Sequence, residues 1–279
     1  MSKVAILLAT YNSAQYLEDL LESIINQTYH LWALYIIDDG SLDNTLSILH
    51  SYTQKYDNII LINNKTLHNG AKNNFMNLLS QIDAEYYMFC DHDDIWLPKK
   101  IEISIERMRS LECNNPNTPI LIHSDLSVVD SELNMINYSF FNYAGVFPDI
   151  SLSSIKYLSV SNCVTGCTML LNKAVKGCVF PMSKHALMHD SWIALKVMAS
   201  DGIISCINQP LILYRQHSSN TLGAIKRNHK NSFLRRCNDN WRQFLMAQSA
   251  CKINLLTYIL YKLKYLYKRY ENCRSNRYL

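Results

Sequence analysis

The sequence predicts an α/β fold, a mostly parallel sheet covered by helices on both faces. Three observations predict it. Short, continuous apolar runs recur through the N-terminal third, the pattern of strands buried on both faces. Helical apolar spacing separates those runs, the alternation that a parallel sheet with crossover helices requires. Polar clusters close the runs: Thr10-Tyr11-Asn12, Asp38-Asp39-Gly40-Ser41, Asn69-Gly70 with Asn73, and Asp91-His92-Asp93-Asp94.

The elements follow in order. Val4 to Ala9 is wholly apolar and gives the first strand. After a polar turn, Leu17, Leu20, Leu21, Ile24 and Ile25 fall on one helical face. Ala33 to Ile37 is the second strand, and Asp43 is placed to cap the helix carrying Leu46, Ile48 and Leu49. Ile59 to Ile62 is the third strand, and a turn at Asn69-Gly70 precedes a helix with Phe75, Leu78 and Leu79. Tyr86 to Cys90 is the fourth strand. A helix is expected after Pro98, because proline suits a first helical position.

Beyond Pro119 the alternation loosens. Strands are expected at Pro119 to His123, at Cys167 to Leu171, at Ile203-Ile204 and at Leu211 to Tyr214. Residues 137–160 read as a loop with a short helix, and Ser191 to Ala199 as a helix. From Asn231 to Tyr270 helical spacing dominates. The expected organisation is a sheet domain over 1–222 and a basic, amphipathic helical tail over 223–279.

Of 279 residues, 48% are apolar and 18% charged, which excludes global disorder. Nine cysteines are scattered without a Cys-x-x-Cys pair. The nearest two, Cys163 and Cys167, lack a second pair to complete a zinc site, so reduced thiols of a cytoplasmic protein are expected. No stretch approaches the roughly 20 apolar residues of a membrane span. The apolar run after Lys3 is too short for a signal-peptide core. From Lys226 onward 13 Lys and Arg face two acids, a net of +11, so the preceding residues carry −7 of the total +4. The acidic part suits a cation. The basic tail is either a solvated helical face or a surface for an anionic membrane, where each Lys or Arg contributes about 1 kcal/mol. Tyr258, Tyr261, Tyr265 and Tyr267 interleave there with Leu and Lys in an amphipathic pattern. No nucleic-acid recognition motif is present.

The acidic run Asp91–Asp94 is the most informative segment. Elsewhere such a run reads as a solvated turn capping a helix. Here it closes a buried strand, at the sheet edge where α/β proteins bind ligands. Crowded carboxylates repel, and a divalent cation, Mg²⁺ or Mn²⁺, offsets that cost while contacting a substrate diphosphate. In an extended segment Asp91 and Asp93 would share one face. No Gly-x-Gly-x-x-Gly or phosphate-binding loop motif occurs, so any nucleotide is held through side chains and metal.

In order and spacing, Ala9-Thr10-Tyr11-Asn12, Asp38-Asp39-Gly40-Ser41, Asn69-Gly70 and Asp91-His92-Asp93-Asp94 resemble the inverting family 2 glycosyltransferases, with their type A nucleotide-diphospho-sugar transferase fold. The resemblance covers roughly residues 3 to 218. The Asp-His-Asp-Asp-Ile-Trp form, with His189-Asp190-Ser191-Trp192 and Tyr214-Arg215-Gln216-His217, looks most like the bacterial branch containing rhamnosyltransferases of surface polysaccharide assembly.

The resemblance implies a role for each residue. Thr10, Tyr11 and Asp39 would hold the nucleoside, with Asn73 near the donor. Asp91 and Asp93 would hold the metal and Asp91 the donor. Asp94 would share in that task or bind ribose. Asp190 falls at the place of the general base, Arg215 would contact the diphosphate, and His217 would be a third metal ligand or phosphate contact. Trp96 and Trp192 are expected to pack, and His92 and His189 receive no role. The implied reaction moves a sugar, first choice rhamnose from its thymidine diphosphate, to a surface-polysaccharide or lipid-linked glycan at the inner face of the membrane. Two other functions compete with this one. A nucleotidyltransferase needs a basic, glycine-rich loop after the first strand, which Thr10 to Ser13 lacks. A non-catalytic glycan-binding scaffold has no use for Asp91, Asp93 and Asp190 together.

Overall fold

The computed structural model describes residues 3–63, 68–217 and 233–275, with backbone alone for 233–236 and 273–275. In chain order the elements are β1 (Val4–Thr10), α1 (Leu17–Ile25), β2 (Trp32–Asp38), α2 (Thr45–Lys55), β3 (Ile59–Leu61), α3 (Ala71–Gln81), β4 (Tyr86–Cys90), β5 (Ile95–Trp96) and α4 (Lys100–Glu112). Then come β6 (Ile120–Val129), β7 (Met135–Asn137), α5 (Phe140–Ala144), α6 (Pro148–Ser151), α7 (Ile155–Val160), β8 (Leu170–Asn172), α8 (Lys176–Val179), α9 (His189–Ala199), β9 (Ile203–Arg215), α10 (Phe233–Cys251) and α11 (Leu255–Ser275).

The strands form one sheet in the order β3-β2-β1-β4-β8-β6-β9-β5, with β7 added on β6. β1 pairs in parallel with both β2 and β4, and all its residues are buried, which explains its unbroken apolar sequence. Alternate side chains serve two cores. Val4, Ile6 and Leu8 meet Leu17, Leu21 and Ile105 on one face, while Ala5 and Leu7 meet Phe75, Leu79 and Ile193 on the other. Trp96 and Trp192 are both buried packing residues.

The parallel order holds from β3 to β4. Beyond it the sheet is mixed, because β8 runs antiparallel between β4 and β6. Four expectations change here. No helix begins at Pro98: Ile95-Trp96 pairs with β9, the Pro98 carbonyl accepts from Thr28 N–H at 2.9 Å, and the helix starts at Lys100. The strand expected from Cys167 starts at Leu170, because Gly166–Thr168 forms a 3₁₀ turn. The two late strands are one strand of 13 residues, interrupted in register opposite Asp125, near Pro210. Residues 137–160 hold three short helices, two of them capped by Ser139 and Ser154 hydroxyls.

The tail is two helices. α10 joins the main core through Met246 and Ala250. Tyr258 and Tyr265 of α11 are buried with Val160, Phe244 and Ala247, so most of the tyrosine pattern faces the protein rather than solvent. The expected boundary near residue 223 lies outside the described residues. Among the described residues no helix is long and apolar enough to cross a membrane, and the eight described cysteines are free thiols.

Candidate active site

The parallel strands deliver their polar ends to one edge. Thr10 and Asp38 are register partners, and Thr10 Oγ1 donates to Asp38 Oδ2 at 2.8 Å. Asp38 also accepts from the backbone N–H groups of Gly40 and Ser41 at 3.0 and 2.8 Å, which fixes the loop after β2. Asp39 reaches the next loop: Oδ1 accepts from Asn69 N–H at 2.9 Å and Oδ2 from Gly70 N–H at 2.8 Å. Burial alone would raise the Asp39 carboxyl. The Asn74 amide and these two N–H groups outweigh it and hold Asp39 below the usual range. An ionised carboxylate has about four lone-pair sites, so Asp39 retains acceptor capacity for a base N–H. Tyr11 is 47% exposed beside His68, a ring open for stacking. Asn73 donates to the Asn69 carbonyl and sits in the first turn of α3.

The acidic run is a turn centred on His92-Asp93, not an extended segment. Strand alternation therefore does not align Asp91 with Asp93. Asp91 instead groups with Asp94 and Cys167, their ligand atoms all within 4.8 Å of one another. Burial, then the neighbouring Asp93 and Asp190 charges, raises the Asp91 carboxyl to about 7. Burial, then Asp93 and Asp91, pushes Asp94 well up. Among the described residues, Asp94 Oδ2 is buried without a hydrogen-bond partner. An orphaned acidic oxygen beside a second carboxylate fits a hard cation, which takes oxygen ligands. The Cys167 thiol does not fit one, since burial keeps it protonated.

Two more expected residues meet this turn. His217 Nε2 lies 2.8 Å from Asp93 Oδ2, and its ring packs on Tyr16 at 4.8 Å. Arg215 is 3% exposed. Its guanidinium donates to the Asp93 carbonyl at 2.9 Å, the Ser131 carbonyl at 2.8 Å and Asp19 Oδ2 at 2.9 Å, over the Tyr16 ring at 4.4 Å. These bonds tie Arg215 to the framework beneath the acidic turn.

Asp190 sits in the first turn of α9, where its carboxylate accepts from Ser191 N–H. Burial raises it to about 6 against those hydrogen bonds. Its neighbour His189 is wedged between Phe75 and Phe89, with ring centroids at 4.5 and 4.8 Å, and burial holds it neutral with a pKa of about 3. Gly166 permits that position: a Cβ there would stand 2.6 Å from His189 Nε2.

Sequence reasoning missed Lys100. It is fully buried, donates to the Cys167 carbonyl at 2.9 Å and lies 3.1 Å from the Trp96 ring centroid. Burial lowers it to about 8, opposed by Cys90, Cys167, Asp94 and Asp91. It is a buried cation set behind the acidic turn. The signal was available: Lys100, Ser104 and Met108 recur at helical spacing on the buried face of α4.

Asp91, Asp93 and Asp190 all line one cavity of about 310 Å³, walled by Phe75, Val164, Val146 and Tyr214. A second cavity of about 560 Å³, with Asp125, Ser139, Phe147 and Asn208 on its walls, adjoins it across Val146. Parallel strands that end in this acidic turn, with Asp91, Asp93 and Asp190 on one cavity, match the type A glycosyltransferase fold.

The comparisons with known proteins agree. The family described as Glycosyl transferase family 2 matches residues 5–177. The chain belongs to that family and is a glycosyltransferase. It is 29% identical over 231 residues to the dTDP-rhamnosyl transferase RfbG of Shigella flexneri, covering 78% of this chain and 74% of that one. It is 32% identical over 110 residues to the putative teichuronic acid biosynthesis glycosyltransferase TuaG of Bacillus subtilis, covering 39% of this chain but 43% of that one. Staphylococcus aureus TarS in complex with UDP superposes with a TM-score of 0.63 at 16% identity, covering 98% of this chain and 73% of that one. The mannosyltransferase PcManGT from Pyrobaculum calidifontis, in complex with GDP-Man and Mn²⁺, gives 0.60 at 15% identity, covering 88% and 64%. These two likenesses establish the fold.

Proposed function

We propose that the enzyme transfers rhamnose from dTDP-rhamnose to a hydroxyl of a surface-polysaccharide or lipid-linked glycan, with inversion at the anomeric carbon. The convergence of Asp91, Asp93 and Asp190 on one cavity carries this reading. The similarity to RfbG, described as a dTDP-rhamnosyl transferase, supports the donor, and the similarity to TuaG, described as a putative teichuronic acid biosynthesis glycosyltransferase, supports a glycan acceptor.

Each residue has a task. Asp39 accepts the N–H of a pyrimidine, Tyr11 stacks on the base, and Thr10 and Asn73 shape the loops around the nucleoside. Asp91 and Asp94 would hold Mg²⁺ or Mn²⁺, with Asp93, which lines the same cavity, completing the set, and His217 orients Asp93 through its ring nitrogen. When bound, the cation stabilises negative charge on the departing diphosphate as a Lewis acid. Lys100 adds a fixed positive charge behind the same carboxylates. Arg215 braces the acidic turn from below instead of reaching the diphosphate. Asp190 takes the proton of the acceptor hydroxyl as that oxygen attacks. Its raised pKa of about 6 brings it closer to working pH, which makes it a stronger base than an ordinary carboxylate while leaving it ionised at pH 7. Partial closure of the cavity by Phe75, Val164 and Tyr214 limits competing attack by water.

The test is donor binding and turnover. With Mn²⁺, dTDP-rhamnose at about 100 times its Kd stabilises the native protein by about 2.7 kcal/mol, read as a rise in Tm, and is slowly hydrolysed. Stabilisation by a uridine or guanosine diphosphate sugar instead would replace the donor but keep the mechanism. No response to any sugar nucleotide would end the reading.

A further inference from the structure

α11 carries an apolar face that the described structure leaves uncovered. Leu256, Ile259, Leu260, Leu263, Leu266 and Tyr267 are between 47% and 82% exposed. They recur at intervals of three and four residues and so form one stripe along the helix. The opposite side is anchored. Tyr258 and Tyr265 are 4% and 5% exposed within the cluster of Val160, Phe244 and Ala247. Lys262 Nζ donates to the Val160 carbonyl at 2.9 Å, and Arg269 Nη2 donates to the Ala144 carbonyl at 3.0 Å. The helix is thus held by its inner face while its leucines point outward. Soluble proteins rarely present so continuous an apolar strip without a partner for it.

Charge identifies the partner. Residues 226–279 carry 13 Lys and Arg against two acids. Lys264 and Lys268 are exposed along one side of the leucine strip, their ammonium groups 5.1 and 4.8 Å from the Tyr261 and Tyr157 ring centroids. A second copy of this tail would bring like charge against like charge. An anionic bilayer supplies both complements, phosphates for the lysines and an acyl boundary for the leucines. We propose that α11 lies in the plane of an anionic membrane surface, its Leu256–Tyr267 strip seated among the lipid chains. This deepens the reading of a lipid-linked acceptor by fixing which face of the enzyme meets the bilayer. It rests on that reading for its purpose alone, since the physical claim concerns only α11.

The experiment uses the full chain and sedimentation with vesicles of phosphatidylcholine containing about a quarter phosphatidylglycerol. Wild type co-sediments with these, less so in high salt, and weakly with pure phosphatidylcholine. The double variant Leu260→Glu/Leu263→Glu, at two exposed positions, loses about tenfold or more in vesicle affinity. Its Tm and its vesicle-free donor hydrolysis stay at wild-type values, which separates lost docking from lost folding. Lys264→Glu/Lys268→Glu weakens binding to the anionic vesicles alone. Absence of vesicle binding by wild type, or undiminished binding by the leucine variant, would overturn the proposal. So would a wild-type dimer that the leucine variant renders monomeric, which would give the strip to a second copy. Vesicle binding without turnover of any donor would sink the catalytic reading and leave this one standing.

Discussion

Replacing Asp190 by Asn should make the enzyme slower and more stable at once. The amide keeps the volume and can still accept from Ser191 N–H, but it takes no proton. Loss of a general base lowers turnover by about 10²–10⁴, or about 3–5 kcal/mol of activation free energy. Stability moves the other way. Burial lifts the Asp190 carboxyl from 3.8 to about 6. At about 1.4 kcal/mol per pK unit the ionised form costs the fold at most about 3 kcal/mol. The cavity admits water on one side, which discounts this to about 1–2 kcal/mol. The folded-state pKa lies above the unfolded one. Stability is therefore fully present below about pH 4 and falls as pH rises through about 6. Asn removes that loss. In metal-free protein at pH 7.5, Asp190→Asn should melt about 2–8 °C above wild type, at about 2–4 °C per kcal/mol. The difference should vanish near pH 4. Wild-type turnover should fall as pH drops through about 6, as the base takes up its proton. Scanning calorimetry against pH and steady-state kinetics read both effects. A variant that turns over normally, or melts below wild type at pH 7.5, would refute the reasoning.

Gly166→Ala places a Cβ 2.6 Å from His189 Nε2, against a ring that Phe75 and Phe89 hold in place. It should cost about 1–3 kcal/mol in denaturant unfolding and, by displacing the start of α9, lower kcat more than it raises donor KM. Lys100→Met removes the buried cation behind Asp91 and Asp94 and should raise both carboxyls further. An NMR titration of the Asp91 carboxyl in metal-free protein reads that rise, and an unchanged titration would deny Lys100 its electrostatic task.

The carboxyl edge of β1, β2 and β4 was legible because fully buried strands leave no alternation to misread, and their polar ends stand out against apolar runs. That Asp91 and Asp190 share one cavity agrees with that edge, while their roles came from the resemblance alone. Other features depend on contacts between distant segments. Helical spacing puts Lys100 on the buried face of α4, but its partner, the Cys167 carbonyl, comes from a segment 67 residues away. β9 was read as two strands because Asn208-Gln209-Pro210 interrupts its apolar pattern at a register shift. α11 has two apolar faces, and periodicity alone does not say which one packs. The interleaved tyrosines therefore gave an amphipathic pattern without saying that Tyr258 and Tyr265 turn inward.

Val146 lines both the chamber that holds Asp190 and its larger neighbour, and it follows the Ala144-Gly145 corner that Arg269 clamps. A smaller or larger side chain there changes the room in both at once. One position thus sets the dimensions of two neighbouring chambers while Asp91, Asp93 and Asp190 stay where they are.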